Sequence, residues 1–127
     1  MSQLPLFQLR VYYEDTDAGG IVYYANYLKF AERARTEWLR QLGFSQTALR
    51  HEAGLLFVVR ECLIRYIQPA KLDDFLSIIS HITAIKGASL QLKQEIKRDE
   101  TLLASIEVEL ASISETGKPM RLPTWLK

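Results

Sequence analysis

The sequence predicts an α+β chain in which an antiparallel sheet covers one principal helix. Three observations lead there. Residues 25–42 carry apolar side chains at helical spacing. Residues 57–113 switch to a period of two over several strand-like runs divided by turn residues. A short alternating run precedes the helix at 7–14. The order is therefore a strand, a long helix and four consecutive hairpin-like strands.

The first run alternates Phe7, Leu9, Val11 and Tyr13 with Gln8, Arg10, Tyr12 and Glu14, the pattern of a half-buried strand, after a lead-in at Met1 to Leu6. The helix expected from about Ala25 to Leu42 places Tyr27, Phe30, Ala31, Ala34, Trp38, Gln41 and Leu42 close to one stripe. Leu28 and Leu39 widen that stripe, as expected if a sheet curls round the helix, and Gly43 suits a left-handed C-terminal cap. A short second helix is expected over Ser45 to Ala53, capped by Ser45 and ended by Gly54. Strands follow at Phe57 to Ile67, Phe75 to Ile85, Ser89 to Lys97 and Leu102 to Ile113. In the third of these Leu90, Leu92, Gln94 and Ile96 share a face; in the last, Ala104, Ile106, Val108 and Leu110 point inward. The tail from Met120 to Lys127 is too short to be a domain.

Composition narrows the function. At 127 residues, 48% hydrophobic and 24% charged, the chain fits one globular domain over 1–127. A net charge of +1 advertises neither a nucleic-acid nor a membrane surface. No window approaches a spanning helix, and Pro5 interrupts the only candidate signal peptide. The single Cys62 has no partner for an internal disulfide and is expected to be a buried structural thiol in its strand. A cytoplasmic protein is the expectation.

The chemistry is expected where the first strand meets the helix. Glu14, Asp15 and Asp17 bring three acids within four positions, and Gly19-Gly20 lets the main chain turn and approach another group closely. Carboxylates so close repel, so burying one should raise its pKa or surround it with donors. The helix begins at once, between Tyr23 and Asn26, with first-turn N–H groups that lack intrahelical partners. A carboxylate beside such a terminus offers a nucleophile or base together with an oxyanion site, which suits acyl transfer. The acids could instead only cap the helix. The residues alone leave both readings open. A solvated acidic turn fits less well, because Ile21-Val22-Tyr23-Tyr24 heads back toward a core. A calcium loop starting at Asp15 would need a bidentate Glu at its twelfth position, where Asn26 stands.

The run from Tyr13 to Tyr27, with its acid pair around Thr16, its Ile-Val-Tyr segment and its Asn-Tyr entering the helix, resembles the signature of the 4-hydroxybenzoyl-CoA thioesterase family of hotdog-fold enzymes. It is most similar to the Tol-Pal-associated acyl-CoA thioesterase branch, and the likeness in segment order extends over nearly the whole chain. The resemblance implies a hotdog fold, a catalytic carboxylate at Asp17, and polarisation of the thioester carbonyl by the backbone N–H near Tyr24. It implies an acyl-CoA substrate, no cofactor, and dimers with shared active sites that often pair into tetramers. A link to the Tol-Pal system or to acyl carrier protein rests on the resemblance alone. Many members of that branch carry His where this chain has Tyr24. A mechanism needing an imidazole there does not carry over, whereas one using Asp17 and a backbone N–H does.

Other candidates are weaker. His51 lies on the short polar helix and His81 in mid-strand, and no cluster has zinc spacing. Neither a Gly-x-Ser-x-Gly elbow nor a phosphate-binding glycine loop is present. Arg60, Arg65, Lys86 and Arg121 fall near strand ends or turns, where a solvated face explains them as well as coenzyme phosphates do. The rival to an enzyme is a non-catalytic protein of the same fold that binds an acyl carrier or acyl chain. The exposed edge of one sheet and the apolar tail at Trp125 and Leu126 both call for cover, which predicts a homo-oligomer.

Overall fold

The computed structural model describes residues 3–126. The ends of the predicted lead-in and tail, at Met1, Ser2 and Lys127, lie outside the described residues. Strand β1 (Phe7–Arg10) leads through a 3-10 turn (Tyr13–Asp15) to helix α1 (Asn26–Gln41). A short helix α2 (Gln46–Ala48) runs on into a π-turn (Leu49–Ala53). Strands β2 (Leu56–Tyr66), β3 (Phe75–Lys86), β4 (Ser89–Arg98) and β5 (Thr101–Ile113) follow, and a 3-10 turn at Thr124–Leu126 closes the described chain.

The five strands form one sheet in the order β1-β3-β4-β5-β2, with every pair antiparallel. The α+β expectation holds, with one correction to its connectivity. β2 and β3 are not a hairpin: they stand in different parts of the sheet, β2 at one edge beside β5 and β3 between β1 and β4. Their connection passes the loop in front of α1, where Val22 N–H donates to Ala70 O at 2.9 Å and Ile21 bridges Lys71. A periodicity argument detects strands but not which of them pair, and Pro69-Ala70 reads equally well as a tight turn or a crossing.

β1 is also shorter than the alternation suggested. Pairing with β3 ends at Arg10, Val11 bonds instead to the Asp73-Asp74 turn, and Tyr13 swings out to 83% exposure. The capping side chain of Asp15, whose Oδ2 accepts the Tyr12 N–H at 2.8 Å, makes a helical turn the better local solution than a strand.

α1 buries Tyr27, Phe30, Ala31, Ala34, Trp38 and Leu39 against the sheet. Gln41 and Leu42, expected on that stripe, are exposed because the helix ends at Gln41. Phe30 has no exposed surface, and sequestering such a side chain is worth about 1.5–3 kcal/mol. The opposing face comes from Leu76, Ile78, Leu90, Leu92, Ile96, Leu103 and Ile106, each buried. Two polar residues, Gln94 and its cross-strand neighbour Ser80, sit in this apolar layer. Gln94 is fully buried and satisfied: its Nε2 donates to Ala31 O and Ser80 Oγ, both at 3.0 Å, and its Oε1 accepts from Arg35 Nη1 at 2.9 Å.

Two expectations about cover are overturned. Leu126 is buried and Trp125 stacks on Phe44 with centroids 4.2 Å apart, so the tail finds much of its apolar cover within the chain, while Trp125 keeps 37% of its surface exposed. Cys62 is exposed on β2, an edge strand paired on one side only. Its thiol is pushed up in pKa by partial burial, with the Arg35 charge opposing. The second helix matches expectation: Ser45 Oγ accepts the Ala48 N–H at 2.9 Å, and Gly54 closes the π-turn with φ of 63°.

Candidate active site

The acidic stretch folds as a tight hairpin. Asp17 N–H donates to Ile21 O at 2.9 Å, Gly20 N–H to Asp17 O at 3.0 Å, and Thr16 bridges Val22. Asp17 thus stands at the tip, and Tyr24 stands where the hairpin runs into α1. The Asp17 Oδ1 accepts the Gly19 N–H at 2.8 Å. A Cβ at Gly19 would stand 3.2 Å from that oxygen, tighter than most real contacts, so glycine is what lets the main chain come so close.

The three acids separate by what they hold. Asp15 is structural on both its groups: the carboxylate caps the 3-10 turn, and the carbonyl accepts from Tyr23 N–H at 3.0 Å and Asn26 Nδ2 at 2.9 Å. Asn26, at the position where a calcium loop needs its glutamate, is thereby committed to the turn. Glu14 is exposed. Asp17 caps nothing beyond its own turn, and none of the acids caps α1, whose N-cap is Ala25 with no side-chain bond. The helix-capping alternative is therefore contradicted. Asp17 is exposed, so the expected burial of a carboxylate does not occur within one chain.

The start of α1 is built to present a donor. The Tyr23 carbonyl accepts the Asn26 N–H at 2.8 Å, which fixes the Tyr23–Tyr24 peptide plane. In a trans peptide the N–H points opposite to the carbonyl, so the Tyr24 N–H is directed away from the helix. Among the described residues nothing accepts it. α1 adds the positive end of a sixteen-residue macrodipole. The next carbonyl, Tyr24 O, accepts from the Tyr66 hydroxyl at 2.9 Å. Tyr66 also meets the Tyr24 ring edge-on at 6.2 Å and the Tyr27 ring at 5.4 Å. Tyr27 OH in turn accepts the N–H of Ala70 at 3.0 Å.

Tyr66 is the functional candidate that sequence reasoning passed over. It sits 42 residues beyond Tyr24, at the end of β2, and no spacing rule joins the two. Partial burial raises its pKa, and the Tyr24, Tyr27 and Cys62 groups add to the effect. The phenol therefore remains a donor at neutral pH. Tyr23 is raised too, chiefly by the neighbouring Tyr24 phenol, whose ring centroid lies 4.9 Å away.

Asp17 and Tyr24 thus share one hairpin, with no hydrogen bond between them among the described residues. The other candidates stay apart. His51 is exposed on the π-turn, and His81 lies half-buried in β3 opposite Lys93. Arg60 pairs with Glu109 at 3.2 Å, while Arg65, Lys86 and Arg121 are exposed. No group of three metal-ligating side chains occurs among the described residues. No helix among them is long and apolar enough to cross a membrane.

Comparison with known proteins gives the same picture. The family model described as "Thioesterase-like superfamily" matches residues 11–127. An acyl-CoA thioesterase YbgC of Haemophilus influenzae is 46% identical over 95% of this chain and 90% of its own length. An acyl-CoA thioester hydrolase YbgC of Escherichia coli is 50% identical over 91% of this chain and 87% of its own. The crystal structure of a probable thioesterase from Bartonella henselae superposes with a TM-score of 0.89 at 44% identity, covering 94% of this chain and 99% of that one. The five-stranded sheet, the single long helix and the hairpin that joins them are those of a hotdog fold, and the chain belongs to the thioesterase-like superfamily.

Proposed function

We infer that this protein is an acyl-CoA thioesterase, which hydrolyses a thioester to a free acid and coenzyme A. The observation that carries this reading is the hairpin itself, with an acid that caps no helix at its tip and an unpartnered N–H at the start of α1. The relatives named as acyl-CoA thioester hydrolases support it over nearly the full chain.

The mechanism follows from these parts. The substrate carbonyl oxygen accepts from the Tyr24 N–H, and charge developing on that oxygen is stabilised by the donor and the helix terminus. Asp17 then attacks the carbonyl carbon and expels the coenzyme thiolate, leaving an anhydride that water cleaves; alternatively, Asp17 takes a proton from the attacking water. Neither course requires a metal or an organic cofactor. The residues 1–127 would act as one catalytic domain in the cytoplasm, in keeping with a lone cysteine that has no disulfide partner. The open site and the long free edge of β2 support a homo-oligomer, a dimer or a tetramer of dimers. A connection to the Tol-Pal system or to acyl carrier protein belongs to the proposal by resemblance.

Thiol release from a panel of aliphatic and aromatic acyl-CoAs tests the reading. Turnover of at least one of them is the expected result. Binding without turnover by any member would make the protein an acyl-binding module instead.

A further inference from the structure

Asp17 and the Tyr24 N–H belong to different elements, and the reaction needs them at one fixed separation. Each is anchored to a different part of the sheet. Val22 N–H donates to Ala70 O at 2.9 Å and Ile21 bridges Lys71, which ties the hairpin to the connection between β2 and β3. The helix start is held instead by Tyr66, whose hydroxyl donates to Tyr24 O at 2.9 Å.

One side chain joins the two anchorages. Asn26, the first residue of α1, reaches back to the base of the hairpin, where its Nδ2 donates to Asp15 O at 2.9 Å. The group it faces is a carbonyl oxygen, so the amide can present only its NH2 there. Among the described residues no other side-chain hydrogen bond runs between residues 12–20 and α1. The bond spans eleven positions, and Asp17 and Tyr24 both lie within that span, one just after the acceptor and the other just before the donor. Asn26 also supplies the backbone N–H that holds Tyr23 O at 2.8 Å, and the Asp15 carbonyl also accepts Tyr23 N–H at 3.0 Å.

Asparagine at this place works against the helix. It ranks below alanine and leucine in helix propensity, because its amide competes for backbone groups. It does not cap α1 in return: the N-cap is Ala25, with no side-chain bond. Its half-buried amide is committed to the hairpin, and that tie is what asparagine provides here and alanine would not. We propose that Asn26 is a positioning residue for the reaction. Its amide locks the hairpin that carries Asp17 to the helix start that carries the Tyr24 N–H, and so sets the distance between the nucleophile or base and the oxyanion donor. The role rests on the thioesterase reading and involves no contact with substrate. Without the amide each half keeps its own anchor, so the chain still folds, but the halves are free to shift against each other. A shift on the order of 1 Å between such groups costs up to about a hundredfold in rate.

Asn26→Ala tests this, alone and combined with Asp17→Asn. Alanine gains helix propensity while one hydrogen bond is lost, so the melting temperature should stay within about 3 °C of the wild type. In single-turnover and steady-state assays with an acyl-CoA from the panel, kcat should fall by about ten- to a hundredfold and KM should stay within about twofold. On the Asp17→Asn background the same change should cost less than about threefold, because without the carboxylate there is no separation left to hold. Amide hydrogen exchange gives a readout independent of turnover. The Asp17 and Tyr23 N–H groups should exchange at least about fivefold faster in Asn26→Ala, while those from Phe30 to Trp38 in α1 should not change. An unchanged kcat, or unchanged exchange at Asp17 and Tyr23, would overturn the proposal. So would faster exchange along the whole of α1, because Asn26 would then serve helix stability alone. A wild type that turns over no acyl-CoA would remove the thioesterase reading and this role with it, whereas an active wild type with equal losses on both backgrounds would refute the positioning role alone.

Discussion

Replacing Tyr66 by phenylalanine removes one oxygen atom and leaves the ring where it stands, edge-on to Tyr24 at 6.2 Å and Tyr27 at 5.4 Å. What is lost is the 2.9 Å hydrogen bond to the Tyr24 carbonyl. Both partners are substantially exposed, Tyr66 at 46% and Tyr24 at 61%, so water can take over the carbonyl and no buried group is stranded. The loss is then that of one neutral bond, about 0.5–1 kcal/mol. In a chain of this size that lowers Tm by about 2–4 °C. If the bond holds the first turn of α1 so that the Tyr24 N–H is aimed before the substrate arrives, the same energy is missing from the transition state. A loss of about 0.5–1 kcal/mol corresponds to roughly a two- to fivefold fall in kcat, with KM little changed. Steady-state thiol release at several acyl-CoA concentrations separates the two constants, and a thermal melt checks the fold. The sign with pH follows from the raised pKa of Tyr66: the bond is intact below the ordinary phenol value near 10 and is lost as pH climbs through the higher folded value. The wild type should therefore converge on the variant only at strongly alkaline pH. An unchanged kcat with the expected Tm shift would refute the positioning role, and a change confined to KM would move Tyr66 into substrate binding.

Two further predictions follow. Tyr24→Phe should cost less than about tenfold in kcat, because the donor in question is the backbone N–H and the phenol supplies at most one neutral hydrogen bond. A collapse in rate with an intact fold would show that the phenol acts as the acid. Gln94→Leu should destabilise the protein by about 2–4 kcal/mol, since it strands the buried Ser80 hydroxyl, takes from the Ala31 carbonyl the bond it accepts beside its helical one, and removes the one side-chain bond that Arg35 makes among the described residues. Denaturant unfolding reads it directly, and a loss under about 0.5 kcal/mol would contradict the view of that network as a satisfied buried unit.

The helix and the four long strands were legible because each rests on a local signal: Phe30 and Trp38 at helical spacing, Leu90 to Ile96 at a period of two, and Ser45 and Gly54 as punctuation. The hairpin was legible through its acids and glycines, although the distinction between Asp15 and Asp17 was not. Both are acids before a helix, and which one is occupied by the backbone depends on bonds to Tyr12, Tyr23 and Asn26 that sequence spacing does not specify. Strand pairing was the main loss. With β2 placed beside β5, Cys62 comes to the edge and Tyr66 reaches Tyr24, two consequences of a contact between distant segments. The cover found by Trp125 on Phe44 was hidden for the same reason.

The proposed reaction rests on Asp17 as its reacting carboxylate. Asp17→Asn changes one oxygen to an amide on an exposed hairpin tip, and its Oδ1 can still accept from Gly19 N–H, so fold and oligomer should be unaffected. Single-turnover hydrolysis of an acyl-CoA substrate identified by the panel is the direct measurement. A fall of at least roughly a hundredfold is expected, the scale for loss of a base or nucleophile. A variant that turns over at near wild-type rate with an unchanged melt would contradict it.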